Sequence, residues 1–288
     1  MNIAVCLKQV LDASVPLRVV NGAVQQDAPR PIMRLGAADR TALAEALALR
    51  ARCGGQVTAV SAGAADAVDA LRYALARGVD RAVQMTGADP LDPVASALAA
   101  AVALVVGPDL VLCGNASGDG ASGRFAAELA ARLATPLVTR VAAITPAHGR
   151  HLWLERRLER GERERVRCPL PAVLAVEPAL AEAGYVSLRA LRAAALLPIE
   201  VQVAVPSGAE PLCELIALEP ARPRPKRISA PAAGLSAMDR LTHAITGGMQ
   251  HKRSGEFVEG APAQVAAEIV RFLEERGFSG ERRGGGNG

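Results

Sequence analysis

Short apolar runs alternate with amphipathic segments along the first half of the chain. The runs have the length and composition of buried strands, and they cover residues 2–7, 57–61, 82–85, 109–113 and 137–144. Apolar side chains recur at helical spacing in three intervening segments, at residues 39–52, 65–76 and 92–106, and Asp39 is predicted to cap the first helix. Strands that alternate with helices in this rhythm predict an α/β fold with a doubly wound, mostly parallel sheet.

The pattern changes after about residue 146. Residues 150–158 and 162–168 alternate charged with apolar positions, which predicts an edge hairpin around Gly161. A smaller hairpin is predicted around Asn21, because Asn-Gly is a favoured two-residue turn. A last buried strand is expected at 171–176, followed by a short helix-like piece at 185–195.

We expect residues 1–205 to form the α/β domain and residues 206–280 to form a C-terminal arm. The arm is rich in Pro, Arg and Ala and has too few apolar runs for a core of its own, so it needs the surface of a partner. One amphipathic helix is predicted within it, with an apolar face of Val265, Ile269, Phe272 and Leu273. The polar, Gly-rich residues 281–288 are predicted to be disordered.

The most informative segment is a glycine-rich loop between the strand at 109–113 and a helix that Ser122 is predicted to open. The loop glycines are Gly114, Gly118, Gly120 and Gly123. Glycines let the backbone approach a ligand closely, and the unpaired N–H groups and dipole of a helix N-terminus favour phosphate. The spacing is neither that of a Walker A loop nor Gly-x-Gly-x-x-Gly. Two interpretations stay open: a phosphate site, or a tight turn that uses glycine for geometry alone.

Composition excludes several other classes of function. The net charge of +4 is modest, and no Arg-rich face carries interleaved aromatic residues, so nucleic-acid binding is not expected. The five cysteines and four histidines lack metal-ligand spacing, and no catalytic triad or acid–base pair emerges. With no signal peptide and no membrane-spanning apolar run, a cytoplasmic setting is expected.

Three segments of the chain resemble the β subunit of electron transfer flavoproteins. The N-terminal run Val5-Cys-Leu-Lys-Gln-Val10 is similar to the opening strand of that family, and Gly114 to Arg124 is similar to its nucleotide loop. The third segment comprises Pro171-Ala-Val, Tyr185-Val-Ser-Leu188 and Pro198-Ile-Glu200, and it is similar to the stretch from the last core strand through the partner-recognition loop. The similarity extends over residues 1–205.

The resemblance implies a Rossmann-like, adenine-nucleotide-binding subunit of a heterodimer. Its α subunit would hold a redox-active FAD that faces this chain, and this chain would hold either AMP or, as in electron-bifurcating members, a second FAD. The complex would shuttle electrons from flavin dehydrogenases to a quinone reductase or another acceptor. No catalytic residue is required for this, because the flavin supplies the chemistry.

The same resemblance implies which residues bind the nucleotide and the dehydrogenase. The cofactor-binding residues would be Cys6, Lys8, Gly36, Asp39, Ala62, Gly114, Asn115, Asp119, Gly120, Ala121, Ser122, Gly123, Arg124 and Phe125. Asp119 would position loop amides, and Ser122, Gly123 and Arg124 would face the phosphates. Tyr185 and Leu188 would belong to the partner-recognition loop. Lys8, within an apolar strand where unpaired lysine is rare, is interpreted as facing a phosphate or the partner subunit.

The chain departs from the family pattern at several of these positions. Gly36-Ala37-Ala38 replaces the usual Asn-Pro-Phe/Tyr, Asn115-Ala116 replaces Lys-Gln, Arg124 replaces Gln, and residues 193–197 replace a Lys-rich run. The short loop and Arg124 favour a second FAD over AMP, and the alternative for Arg124 is a pairing with a phosphate or a surface ion pair. Two other hypotheses are a β subunit that has lost its nucleotide and a stand-alone adenine-nucleotide-binding regulator of the universal stress protein kind.

Overall fold

The fold is taken from a computed structural model of the full chain. The structure describes residues 1–21, 23–29, 31–63, 68–89, 92–104, 107–146, 149–178, 180–181, 184–204, 216–217, 219, 234–246 and 258–276. Within these ranges, the strands are β1 (Asn2–Cys6), β2 (Gln9–Leu11), β3 (Leu17–Val20), β4 (Ala23–Gln26), β5 (Met33–Leu35), β6 (Gln56–Ala62), β7 (Arg81–Thr86), β8 (Leu110–Gly114), β9 (Leu137–Pro146), β10 (His151–Arg157), β11 (Arg163–Pro169), β12 (Ala172–Val176) and β13 (Glu200–Val203). The α-helices are α1 (Ala37–Cys53), α2 (Val68–Arg77), α3 (Pro93–Ala103), α4 (Phe125–Leu133), α5 (Leu188–Ala195), α6 (Ala237–Thr246) and α7 (Pro262–Glu275).

The main sheet has nine strands in the order β11-β10-β9-β12-β8-β1-β6-β7-β13. The strands from β9 to β13 in this order run parallel. The predicted hairpin of β10 and β11 adds an antiparallel edge. Two small strand pairs stand apart from this sheet, namely β2 with β5 and the predicted hairpin of β3 with β4.

Helices cover both faces of this sheet. Successive side chains of a strand point to opposite faces, and β1 shows the division clearly. Its Ile3 and Val5 belong to a core shared with α1 and α2, whereas Ala4 and Cys6 belong to a second core shared with α3 and α4. A central strand buried on both sides needs a continuous apolar sequence, as residues 3–6 provide. The doubly wound α/β prediction is confirmed.

Two helical connections lead to the two strands that flank β1, and this arrangement creates a crevice at the end of β1. Helix α1 leads from β1 to β6 on one side, whereas α3 leads from β7 to β8 on the other side of β1. Open α/β sheets bind ligands outside the carboxyl ends of their strands at such a topological switch point. The fold therefore directs attention to the segments that follow Cys6 and Gly114.

Two predicted helix starts are wrong, and each error has a local cause. Helix α1 begins at Ala37 with Gly36 as its N-cap, so Asp39 lies inside the first turn and does not cap the helix. Helix α4 begins at Phe125, three residues after Ser122. Between the two lies Gly123, whose left-handed backbone angle (φ 66°) a right-handed helix cannot include.

The chain divides into two compact units, residues 1–220 and residues 221–288. Within the second unit, the described residues form α6 and α7, and none of their described side chains is buried. The predicted amphipathic helix is thus present as α7, with Ile269, Phe272 and Leu273 exposed. The predicted tail at 281–288 lies outside the described residues. The domain boundary at 205 stays a prediction.

Candidate functional site

A cleft lies at the switch point, above the carboxyl ends of β1, β6 and β8. Its volume of about 210 Å³ is several times the ~30 Å³ share of one water molecule, so it can admit part of an organic ligand. Ten of the predicted cofactor-binding residues line it: Cys6, Lys8, Asp39, Ala62, Gly114, Asn115, Gly120, Ser122, Gly123 and Phe125. Segments far apart in the sequence thus converge on one cleft.

Asp39 links the two strands that flank the switch point. Its carboxylate Oδ2 accepts a hydrogen bond of 2.9 Å from the backbone N–H of Lys8, just beyond β1. Its Oδ1 accepts one of 3.1 Å from the N–H of Gly114, the last residue of β8. Only 7% of Asp39 is exposed. Because both oxygens accept backbone N–H groups, the carboxylate fixes the first turn of α1 against both strand ends.

Gly114 has no side chain because the Asp39 carboxylate occupies the adjacent space. A Cβ built on Gly114 would lie 2.4 Å from Asp39 Oδ1 and 2.9 Å from the Cβ of Ala38. Contacts this short require the helix or the strand end to move. The first loop glycine is therefore explained by the packing of α1, independently of any ligand.

The pKa of Asp39 differs from that of an exposed carboxyl. Burial raises it to about 6, although the backbone N–H groups of Lys8 and Gly114 and the charge of Lys8 act to lower it. The Asp119 carboxylate adds a smaller upward contribution. Asp39 is thus mostly ionised at neutral pH, and its proton affinity lies within the physiological range.

Lys8 and Asp119 form an ion pair across the mouth of the loop. Strand β1 ends at Cys6, so Lys8 lies beyond the strand and not within it as predicted. Its Nζ lies 2.7 Å and 2.9 Å from the two carboxylate oxygens of Asp119. Asp119 also accepts a 2.6 Å hydrogen bond from the N–H of Gly120. Partial burial acts to raise the pKa of Asp119, but these hydrogen bonds, with one from Ser117, lower it overall.

The remaining predicted residues of the loop lie beside the cleft. Arg124 precedes α4, and its Nη2 lies 3.1 Å from Glu128 Oε1, so its guanidinium is paired along the helix. Ala121 does not line the cleft, but its N–H donates to Ser117 Oγ at 3.3 Å. Ala121 and Gly123 have left-handed backbone angles, and the N–H group of Arg124 donates to Ser122 Oγ at 3.5 Å.

Several residues of the cleft wall were not predicted. They include Val60 of β6 and Ser96 and Ala100 of α3, together with Leu7, Cys113 and Ala126. Gly36, by contrast, is the N-cap residue of α1 and does not line the cleft. The small side chains of Ser96 and Ala100, four residues apart and so on one face of α3, were the available sequence signal.

The thiols of the cleft are neutral near pH 7. Burial, with a smaller contribution from the Asp39 charge, raises the pKa of Cys6 to about 12, and burial raises the pKa of Cys113 as well. Neither offers a thiolate as a nucleophile.

Across the described ranges, no group of three or more His, Cys, Asp or Glu side chains could hold a metal ion. No helix in that part of the chain has the length and apolar character to cross a membrane.

Tyr185 and Leu188 lie outside the cleft and are exposed by 90% and 59%. Leu188 is the first residue of α5, and Ser187 caps that helix by accepting a 3.1 Å hydrogen bond from the N–H of Ala190. The segment therefore presents apolar side chains from an ordered helix start.

Substitution of Gly114 tests the contact with Asp39. We expect Gly114→Ala to lower the free energy of unfolding by about 1–3 kcal/mol, because the added Cβ overlaps the Asp39 carboxylate. Gly120→Ala is the matched control, since a Cβ there would meet no atom within 4 Å. Urea unfolding of both variants measures the difference. Equal stability of the two variants would contradict the described packing.

The elevated pKa of Asp39 predicts a specific pH dependence. Because the folded-state pKa lies above that of the unfolded chain, the contribution of Asp39 to stability is full below about pH 4 and is lost as pH rises through about 6. A rise from 3.8 to about 6 corresponds to at most about 3 kcal/mol. The stability of the natural chain relative to Asp39→Asn should therefore fall between about pH 4 and pH 7. Urea titrations at both pH values test this, and a constant difference would refute it.

Comparison with known proteins agrees with this geometry. A family model described as the electron transfer flavoprotein domain matches residues 32–206, more than half of the chain. The electron transfer flavoprotein subunit beta of Bacillus subtilis is 29% identical, over 95% of this chain and 97% of the relative. The electron transfer flavoprotein subunit beta of Mycobacterium tuberculosis (strain H37Rv) is 30% identical, over 73% of this chain and 81% of the relative. Protein FixA of Azorhizobium caulinodans is 39% identical, over 56% of this chain and 60% of the relative. The resemblance seen in the sequence is confirmed. The chain belongs to the electron transfer flavoprotein family, and its relatives place it among the β subunits.

Proposed function

We propose that this chain binds an adenine nucleotide in the switch-point cleft and acts with an α subunit as a heterodimeric electron carrier. The observation that carries the proposal is the convergence of the β1 end, the first turn of α1, the glycine loop and the start of α4 on one cleft. Family membership supplies the electron-carrier role. The cleft supplies a place for the nucleotide that is separate from the flavin of the α subunit.

The residues of the cleft fit a nucleotide in both shape and chemistry. Its wall includes apolar side chains, among them Val60, Ala62, Ala100 and Phe125, which suit an adenine or ribose face. Its floor is backbone, with Gly120 open to the cleft and the first N–H groups of α4 beyond Gly123. Such N–H groups bind phosphate without a side-chain cation. This matters because Lys8 is already paired with Asp119 and Arg124 with Glu128.

The nucleotide is AMP or the adenine part of a second FAD, and the two share the phosphate chemistry that the loop recognises. Arg124 offers little support for choosing a second flavin, since its guanidinium is paired with Glu128. A flavin, when bound, accepts and releases electrons, whereas AMP would serve only structure. In either case this chain's residues bind the phosphate, exclude water from the adenine and hold the loop against α1.

Tyr185 and Leu188 are proposed to dock the electron-donating dehydrogenase. Their exposure leaves two large apolar side chains available, and the Ser187 cap orders the helix that carries Leu188. Ordered apolar side chains lose little entropy on binding, which favours docking. Onward transfer to a quinone reductase or another acceptor completes the proposed role.

The stand-alone regulator is not favoured. The similarity to the Bacillus subtilis β subunit extends over 95% of this chain and so includes most of the segment beyond residue 205. A nucleotide-free subunit is also not favoured, because the loop backbone, the open Gly120 position and the apolar wall are all in place.

Nucleotide analysis of the assembled heterodimer tests the proposal. The full chain would be co-produced with its α subunit, purified and denatured, and the released nucleotides separated by chromatography. We expect one FAD from the α subunit and one further adenine nucleotide. Two FAD per heterodimer would identify a second flavin site here, whereas FAD with AMP would identify a structural nucleotide. A heterodimer that releases a single FAD and nothing else would contradict the proposed site.

A charge introduced at Gly120 tests the location of the phosphate. Gly120→Glu places a carboxylate in open space beside the cleft, and repulsion should reduce nucleotide retention by about tenfold or more. Gly120→Gln is the matched neutral control and should retain far more nucleotide. Equal retention in both variants would place the phosphate elsewhere.

A further inference from the structure

Together with Asp119, which pairs with Lys8 beside the cleft, the described ionisable side chains of the site carry one more negative than positive charge. Among its lining residues, the ionisable side chains besides the neutral thiols are Lys8 and Asp39. Lys8 is paired with Asp119 through both carboxylate oxygens, and that pair is neutral as a unit. The Asp39 carboxylate is left without a compensating cation of its own. A phosphate that enters the cleft must therefore approach a buried negative charge.

Asp39 has few ways to lower that repulsion. It is buried, and both its oxygens are held by backbone N–H groups, so it cannot swing into solvent. The charged or titratable groups that face it are Lys8 and Cys6 from the β1 segment, Cys113 from β8 and Asp119 from the glycine loop. Lys8 favours the ionised form of Asp39 and Asp119 disfavours it, while the two thiols are neutral.

We propose that nucleotide binding in the cleft is coupled to the uptake of one proton by the Asp39 carboxylate. The proton comes from solvent and forms an O–H bond on a carboxylate oxygen, and no other bond changes. The inference rests on the proposed function and deepens it, because it identifies the group that adjusts the charge of the site.

Burial and the negative charge of a phosphate both oppose the ionised form of Asp39. Charges interact more strongly in a partly dry cleft than in water, so a phosphate raises the free energy of ionised Asp39. The pKa of Asp39 before binding is already about 6, so only a modest further rise is needed for protonation near neutral pH. A neutral carboxyl keeps acceptor oxygens for the backbone N–H groups and gains one donor.

Calorimetry of the full chain with FAD measures the linked proton directly. FAD is chosen because its pyrophosphate lacks the titrating phosphate monoester, with a pKa of about 6, that AMP carries. Binding heats would be compared in buffers of different ionisation enthalpy. We expect uptake of most of one proton per FAD near about pH 7 and little uptake near about pH 5, where Asp39 is already protonated. Binding without uptake at the higher pH would overturn the inference while leaving the proposed function intact, whereas a chain that binds neither FAD nor AMP would overturn both.

Two variants assign the proton to Asp39. Whatever FAD binding Asp39→Asn retains should show no linked proton, whereas Glu45→Gln should keep the uptake of the natural chain. Glu45 is a matched control because it is a buried carboxyl on the same helix, with a pKa that burial likewise raises, and it does not line the cleft. Uptake that persists in Asp39→Asn would overturn the assignment.

An infrared measurement covers the case in which Asp39→Asn does not fold. Difference spectra of the natural chain labelled with ¹³C-aspartate, with and without FAD, should show a protonated carboxyl band that shifts with the label. Absence of a label-sensitive band at about pH 7 would contradict the inference.

Discussion

The Asp39 carboxylate is the contact on which the geometry of the switch point depends. One oxygen accepts the N–H of Lys8 and the other accepts the N–H of Gly114, so a single side chain of α1 fixes the ends of β1 and β8. The same contact accounts for the glycine at 114, where a Cβ would overlap the carboxylate. The cleft takes its shape from this arrangement, because both its floor and its loop begin at these strand ends.

The electrostatic character of the cleft follows from the same residues. Lys8, the one lysine at the site, is paired with Asp119, and Asp119 in turn accepts the N–H of Gly120. The side chains thus order the glycine loop, and the proposed phosphate contacts are left to backbone N–H groups. A buried carboxylate close to a bound phosphate would cost free energy unless it were neutralised, and burial has already moved the pKa of Asp39 towards neutrality. The proposed proton uptake would link structure and ligand binding through this one titratable group.

The sequence predicted the sheet and the location of the cleft, because apolar runs such as residues 109–113 and the glycine loop are local signals. It did not predict the start of α1, since the Asp39 carboxylate bonds to two strand ends rather than to its own helix. It also assigned Lys8 to a strand and missed Ser96 and Ala100 of the cleft wall. The positions of Asp39 and Lys8 depend on partners distant in sequence, such as Asp119 for Lys8, and no local pattern encodes them.

Hydrogen–deuterium exchange of the full chain, with and without saturating FAD, tests whether the nucleotide occupies the switch-point cleft. We expect slower exchange in the segments that contain Lys8, Asp39 and residues 114–125, because the ligand would cover the loop amides and stabilise the contacts of Asp39. Slower exchange confined to other segments, with these three unchanged while FAD is bound, would contradict it.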